Sequence, residues 1–292
     1  MIKKCAFCLL LLLTIYACTG SNIQGHSDGE ALSVSVSILP QAYFIERIGG
    51  AHVAVNVMVG PGDEPHSYEP TPSQMRMLAQ SKIYFSIGVE FEKAWMLRFL
   101  AVNPDLRVVD TAAKIERLPM AAKHDGDMAG EPDPHIWLSP ALVKVQAQNI
   151  YDALVDVDPA HTADYKAGLD SFLSDIDQLD ASIRGTFATI KINKFMSFHP
   201  AWGYFAHDYG LEMIPIEIGG QEPSAEELAR TIDLARQYDI RFIFTQKEFS
   251  NKSAEAIAGE IGAQVVLVDP LARDWLSNMQ TLANAFASAL GQ

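Results

Sequence analysis

Residues 159–190, PAHTADYKAGLDSFLSDIDQLDASIRGTFATI, carry no strand signal and a single apolar stripe. Tyr165, Leu169, Phe172, Leu173, Ile176, Leu179, Ile183, Phe187 and Ile190 recur at intervals of three and four, the spacing of one helix face. Roughly 30 helical residues at about 1.5 Å each span ~45 Å, more than the width of a small domain. Gly168 and Gly185 are the weak points of such a helix, where a break is expected if it breaks at all. A helix this long reads as a connecting beam when folded segments lie at both ends, so the flanks decide the fold.

Both flanks alternate strand and helix. Before the beam, strands are predicted at 32–39, 53–60, 83–88 and 107–112, with helices following Pro40, from Ser73 to about Ser81, over 91–101 and from Pro140 to about Val157. Residues 116–134 read as irregular. After the beam come strands at 194–199, 212–218, 240–246 and 264–269, separated by helices from Ala201, from Ser224 to about Tyr238, and over 251–262, with a last helix near 275–290. Ser224 with Glu227 three residues on is a capping box. Such alternation implies largely parallel sheets covered by helices. The expected fold is α/β: a first lobe over 31–157, a connecting helix over 158–191 and a second lobe over 192–292.

The N-terminus stands apart. Lys3 and Lys4 precede the apolar run AFCLLLLLTIYA, which ends in small residues, the pattern of an export signal over 1–17. The run is shorter than the roughly 20 residues a membrane span needs. Ile15-Tyr16-Ala17-Cys18 resembles a bacterial lipoprotein processing site, which would leave Cys18 as the lipidated first residue and 18–30 as a flexible tether. Cys5 and Cys8 then depart with the signal, so the folded part would hold neither a disulfide nor a thiolate ligand. The chain carries a net charge of −14, and loss of Lys3 and Lys4 would leave 20 basic against 36 acidic residues. That balance opposes nucleic-acid binding and favours the gathering of cations.

Four metal-capable residues are spaced along the chain: His66, His135, His199 and Asp269. Their separations of 69, 64 and 70 residues exclude a small zinc finger, whose ligands come in close pairs. They suit loops that each send one ligand to a shared cleft, beyond the carboxyl ends of strands. Three imidazoles and a carboxylate complete a four-coordinate zinc set. Pro65, Pro134, Pro200 and Pro270 adjoin the four residues and stiffen the backbone there. His26, His52, His161 and His207 lie in tether, strand-edge or helix positions that suggest no ligand role. His124, with Asp125, Asp127, Glu131 and Asp133, sits in a polar loop best read as solvated.

The segments GDEPHSYEPTPSQ (62–74), DPHIWLSP (133–140), FHPAWGYF (198–205) and LVDPLA (267–272) resemble signature segments of the zinc- and manganese-binding solute-binding proteins of bacterial ABC transporters, the TroA-like family. The resemblance covers the chain from leader to second lobe. It implies two α/β lobes bridged by one long rigid helix, a metal held between them by His66, His135, His199 and Asp269, and delivery to a membrane permease. It also implies an exported, lipid-anchored monomer at the cell surface or in the periplasm. Some zinc-binding members complete the shell with a glutamate beside the first histidine or with water, which makes Glu64 an alternative fourth ligand. Two features depart from the family pattern: region 116–134 holds one histidine where many zinc importers have a rich run, and Asp63-Glu64 precedes His66.

Manganese-type relatives usually carry a glutamate where this chain has His199. More imidazole and less carboxylate favours zinc over manganese, which prefers hard oxygen donors, with manganese or iron as the alternative cargo. A zinc hydrolase would need an open coordination position and a base such as Glu64, but HExxH, GxSxG and phosphate-loop motifs are absent from the sequence. Some relatives have been proposed as adhesins, a role that nothing in the sequence tests.

Overall fold

The computed structural model describes residues 31–120, 131–188, 190–217, 223–247 and 252–291. The signal, the tether with Cys18, and His124 lie outside the described residues. The first half builds strands β1 (Leu32–Val36), β2 (Val53–Val57), β3 (Ile83–Ser86) and β4 (Arg107–Asp110), with helices α1 (Leu39–Gly49), α2 (Pro72–Leu78), α3 (Glu90–Val102) and α4 (Pro140–Val157). The long helix α5 (Thr162–Phe187) follows. The second half repeats the alternation with β5 (Lys194–Ser197), α6 (Gly203–Tyr209), β6 (Glu212–Pro215), α7 (Ala225–Gln237), β7 (Phe242–Thr245), α8 (Lys252–Ile261), β8 (Gln264–Leu267) and α9 (Trp275–Leu290).

The halves share one topology. Their parallel sheets run β2-β1-β3-β4 and β6-β5-β7-β8, so in each the first strand lies between the second and third. The crossovers leave the first strand in opposite directions, which opens a crevice beyond its carboxyl end. In β1 the buried Val34 and Val36 fill the core, while the buried Ser35 hydroxyl pairs with Ser81 Oγ at 2.7 Å and accepts from Asn56 Nδ2 at 3.0 Å. Strands end earlier than the apolar runs predict, because the first loop residues stay buried. Met58 and Val59 lie past β2 yet donate to the Val36 and Ser37 carbonyls. The Ser224–Glu227 capping box forms as expected.

α5 is 26 residues long, about 39 Å at the α-helical rise. Its stripe of Tyr165, Leu169, Phe172, Ile176, Leu179, Ile183 and Phe187 is buried as the periodicity requires. Neither glycine breaks it. At Gly168 the helix passes so close to the end of α1 that a Cβ would lie 2.4 Å from the Ile48 carbonyl oxygen, so the missing side chain serves the packing.

α5 does not join the halves alone. Trp275, at the start of α9, packs on Phe44 of α1 and Phe172 of α5, at ring centroid distances of 5.3 and 6.2 Å. Phe286, near the end of the same helix, packs on Phe195 and Phe244 of the second sheet at 4.9 and 3.9 Å. Trp137 Nε1 donates to Pro270 O at 2.8 Å, and Trp275 Nε1 donates to Trp137 O at 2.7 Å. One apolar core thus runs from the first sheet through α5 and α9 to the near face of the second. A smaller cluster around Met196, Phe198, Ile243 and Ile257 fills the far face. Among the described residues no helix is long and apolar enough to cross a membrane.

Candidate metal centre

His66 lies in the loop between β2 and α2. Thr71 and Gln74 form the capping box of α2, and Gln74 Nε2 reaches back to the Val57 carbonyl at 3.0 Å, which ties the loop to its strand. His135 precedes a 3-10 turn, Ile136–Leu138, that leads into α4. His199 stands two residues past β5, its carbonyl accepting from Ser197 Oγ at 2.8 Å and Ala201 N at 2.9 Å. The loop after β3 forms another wall. Its Gly88 holds φ +93°, a conformation that favours glycine, with the Arg117 guanidinium packed over it, while the buried Glu92 carboxylate accepts the Ile87 and Gly88 amides at 2.8 and 2.7 Å. Burial raises the Glu92 pKa despite these bonds.

The structure brings the three histidines together. The His199 ring lies 5.1 Å from both the His66 and His135 rings, and His199 Nε2 is 3.2 Å from His135 Nε2. His135 and His199 are each 4% exposed, and His66 is half-buried. All three line one cavity of about 30 Å³, together with Glu64, Glu90 and Gln246 and the apolar Val89, Trp137, Ala201 and Leu271. Among the described residues no group of three or more His, Cys, Asp or Glu side chains stands close enough together to hold a metal ion as placed; the rings meet in pairs, His66 with His199 and His135 with His199.

Each histidine is held from behind by a carboxylate. Asp133 Oδ1 accepts both the backbone N–H and the Nδ1 of His135, at 2.9 and 2.7 Å. Glu64 Oε1 does the same for His66, at 2.8 Å from the backbone nitrogen, with Nδ1 in close contact. Glu217 Oε2 takes His199 Nδ1 at 2.8 Å. A ring nitrogen facing a carboxylate carries the proton, which makes Nε2 of each ring the unprotonated nitrogen. The lone pairs of two such nitrogens 3.2 Å apart repel unless a proton or a cation lies between them. Two nitrogens bound at about 2.0–2.1 Å to one tetrahedral zinc are about 3.3 Å apart, so the His135–His199 spacing matches a shared ion.

Electrostatics separates the three. Burial opposes charge on either member of the Glu64–His66 pair, but their mutual bond outweighs it. The Glu64 carboxyl is held at about 2 and His66 above its ordinary value. At His199 burial wins over the Glu217 bond, with the His135 ring adding to it, and the pKa falls to about 4.

The fourth expected residue is placed differently. Asp269 does not line the cavity; its Oδ2 meets Lys247 Nζ at 3.1 Å and its Oδ1 accepts from Leu271 N at 2.9 Å. The registers explain this. Ser197 pairs with Pro215 and Phe244, which sets His199 level with Glu217 on one side and Gln246 on the other. Thr245 pairs with Leu267, which sets Asp269 level with Lys247, on a strand two spacings or about 10 Å from that of His199. Both Glu64 oxygens are also engaged, since Oε2 accepts from Ser67 N and Oγ at 3.0 Å. Sequence reasoning placed Asp133 in a solvated loop, whereas it is 2% exposed and bonded to His135, and it missed Glu217 and Gln246. Asp133 was visible in the repeated acid-Pro-His of 64–66 and 133–135; the others required the strand order.

This is the layout of a two-lobe α/β receptor, and the comparisons with known proteins agree on that class. The family description of ZnuA, the periplasmic component A of the zinc-uptake complex, matches residues 34–289, and the chain belongs to that family. A crystal structure of a ZnuA 138–173 deletion mutant with zinc bound superposes with a TM-score of 0.85 at 43% identity, over 90% of this chain and 99% of that one. The manganese-binding lipoprotein MntA of Halalkalibacterium halodurans is 29% identical over 99% of both chains. The iron-binding protein YfeA of Yersinia pestis is 28% identical over 85% of this chain and 82% of its own. The family comprises metal-binding solute receptors that work with ABC permeases, not enzymes.

Proposed function

We propose that this protein captures zinc between its lobes, with Nε2 of His66, His135 and His199 as ligands, and delivers it to an ABC permease. The observation that carries the reading is the trio of imidazoles whose Nδ1 atoms are each tied to a carboxylate, with two Nε2 atoms 3.2 Å apart. Carboxylates in this position fix ring orientation and raise the basicity of the metal-binding nitrogen. Three nitrogen donors in a small, largely apolar cavity suit zinc better than manganese, which prefers oxygen. Metal analysis of the purified protein, with zinc and manganese titrations, tests this. Zinc should be bound tightly by the wild type and lost from His135→Ala and His199→Ala; undiminished zinc binding by both variants would refute the assignment.

Relatives named for manganese and for iron support a second reading, in which one of those ions is the cargo. The same titrations decide between them. Anchoring through Cys18 completes the proposal: Cys18→Ser should release the protein from the membrane fraction, and an unchanged distribution would count against a lipid anchor.

A further inference from the structure

Three histidines leave a tetrahedral ion one donor short. The two carboxylates considered for that place are both occupied. Asp269 is held by Lys247 and the Leu271 amide outside the cavity, and Glu64 spends its oxygens on His66 and Ser67. Gln246 is placed otherwise. It follows β7, level with His199 on the adjoining strand, lines the cavity, and is 3% exposed. Its Nε2 is buried without a hydrogen-bond partner, a condition that costs a neutral polar group its hydration with nothing in return. On the other side of His199, Glu217 Oε1 is likewise buried without one. An unused donor and an unused acceptor therefore flank the same histidine, and only Gln246 belongs to the cavity lining.

Resting on the three-histidine reading, we propose that Gln246 is a positioning residue for the captured ion: its carboxamide oxygen accepts a hydrogen bond from a water on the metal and so fixes the fourth coordination place. A metal-bound water has its lone pair on the ion and two protons to donate, so it needs an acceptor. A carboxamide turned through half a circle presents oxygen in place of nitrogen at no steric cost. The cavity of about 30 Å³ exceeds the roughly 10–15 Å³ that one water requires. A neutral amide adds no charge, which keeps the donor set rich in nitrogen and favours zinc over ions that prefer oxygen.

The test uses the whole folded chain carrying Gln246→Leu, Gln246→Glu, Glu90→Gln or His135→Ala. Zinc affinity is read by chelator competition, coordination by the visible spectrum of the cobalt(II)-loaded protein, and folding by the melting temperature without metal. Gln246→Leu should weaken zinc about 10- to 100-fold, the usual effect of removing a group that holds a ligand in place, and alter the cobalt spectrum. Its metal-free melting temperature should be unchanged or higher, which a merely structural residue would not give. Gln246→Glu should restore zinc binding to within a few-fold and raise manganese affinity. Wild-type zinc affinity and cobalt spectrum in Gln246→Leu would overturn the proposal, as would a spectral change in Glu90→Gln in its place. His135→Ala separates the two levels. If it loses zinc while Gln246→Leu does not, only Gln246 is misassigned; if it keeps full affinity, the three-histidine reading falls as well.

Discussion

The two halves of this molecule share a strand order but hold their histidines by different means. In the first half the supporting carboxylate comes from the same loop, two residues earlier across a proline, and grips both ring and backbone: Glu64 for His66, Asp133 for His135. In the second half His199 is supported by Glu217, which arrives 18 residues later on the neighbouring strand and grips the ring alone. A local clamp is built as soon as the loop forms. A clamp across strands exists only once β5 and β6 pair in register. The first contributes to loop stability by itself, whereas the second acts chiefly on the orientation of one ring.

The largest expected effect treats the halves alike. His135→Ala and His199→Ala should each lower zinc affinity by more than about 100-fold, beyond what loss of a supporting group causes. Isothermal titration with a competing chelator reads this, and a large loss in only one variant would show that the rings are not partners. The supporting carboxylates come next and should divide. Asp133→Ala frees a buried backbone N–H as well as the ring, so it should lower the stability of the metal-free protein by about 1–3 kcal/mol and zinc affinity about tenfold or more. Glu217→Gln should lower zinc affinity by a similar factor while leaving metal-free stability nearly unchanged, because one Glu217 oxygen is already without a partner. Equal melting temperatures for the two variants would mean that the two clamps do not differ.

Proton competition should also differ between the halves. His66 is held above its ordinary pKa by Glu64, so zinc must displace a proton from it when the pH is below that raised value. His199 is held at about 4 and competes only in stronger acid. Zinc affinity should therefore begin to fall near neutrality, led by His66, and in Glu64→Gln the onset should move to lower pH. Binding titrations between pH 5 and 8 check this; an unshifted onset would deny the coupling. In the metal-free protein the signs follow the same groups. The His66 contribution to stability is full below the ordinary histidine value and is lost as pH rises through its raised pKa. The His199 contribution is present above the ordinary value and is lost as pH falls towards 4. The smallest effect belongs to Lys247→Ala, since the Lys247–Asp269 pair is substantially exposed. Such pairs are worth about 0.2–1 kcal/mol, so zinc affinity should move by no more than about 5-fold. A larger change would draw Asp269 into the coordination shell.

Much of this could be read from the chain before any coordinates. The 3.6-residue stripe of α5, the strand alternation on both sides and the three histidines stand in the sequence because periodicity and ligand chemistry are local properties. Strand pairing is not local. Glu217 and Gln246 flank His199 only because β6 and β7 flank β5, and the β7–β8 register sets Asp269 level with Lys247. The paired acid-Pro-His segments are legible too, but from the sequence a carboxylate beside a histidine reads equally as a second ligand or as a support behind the ring. Gly168 illustrates the reverse error: helix propensity marks it as a weak point, while packing makes it the residue that lets α5 touch α1.

The reach of α9 has a consequence for how the chain acquires its shape. Trp275 completes apolar contacts begun by Phe44 and Phe172, and Phe286 completes those begun by Phe195 and Phe244. A chain made from its N-terminus presents α1 and α5 long before their last partner emerges. Until then their apolar faces stay open to association with other chains. Maturation of both lobes therefore waits on the same final helix, and a chain cut short before Trp275 would lose the closure of both cores at once.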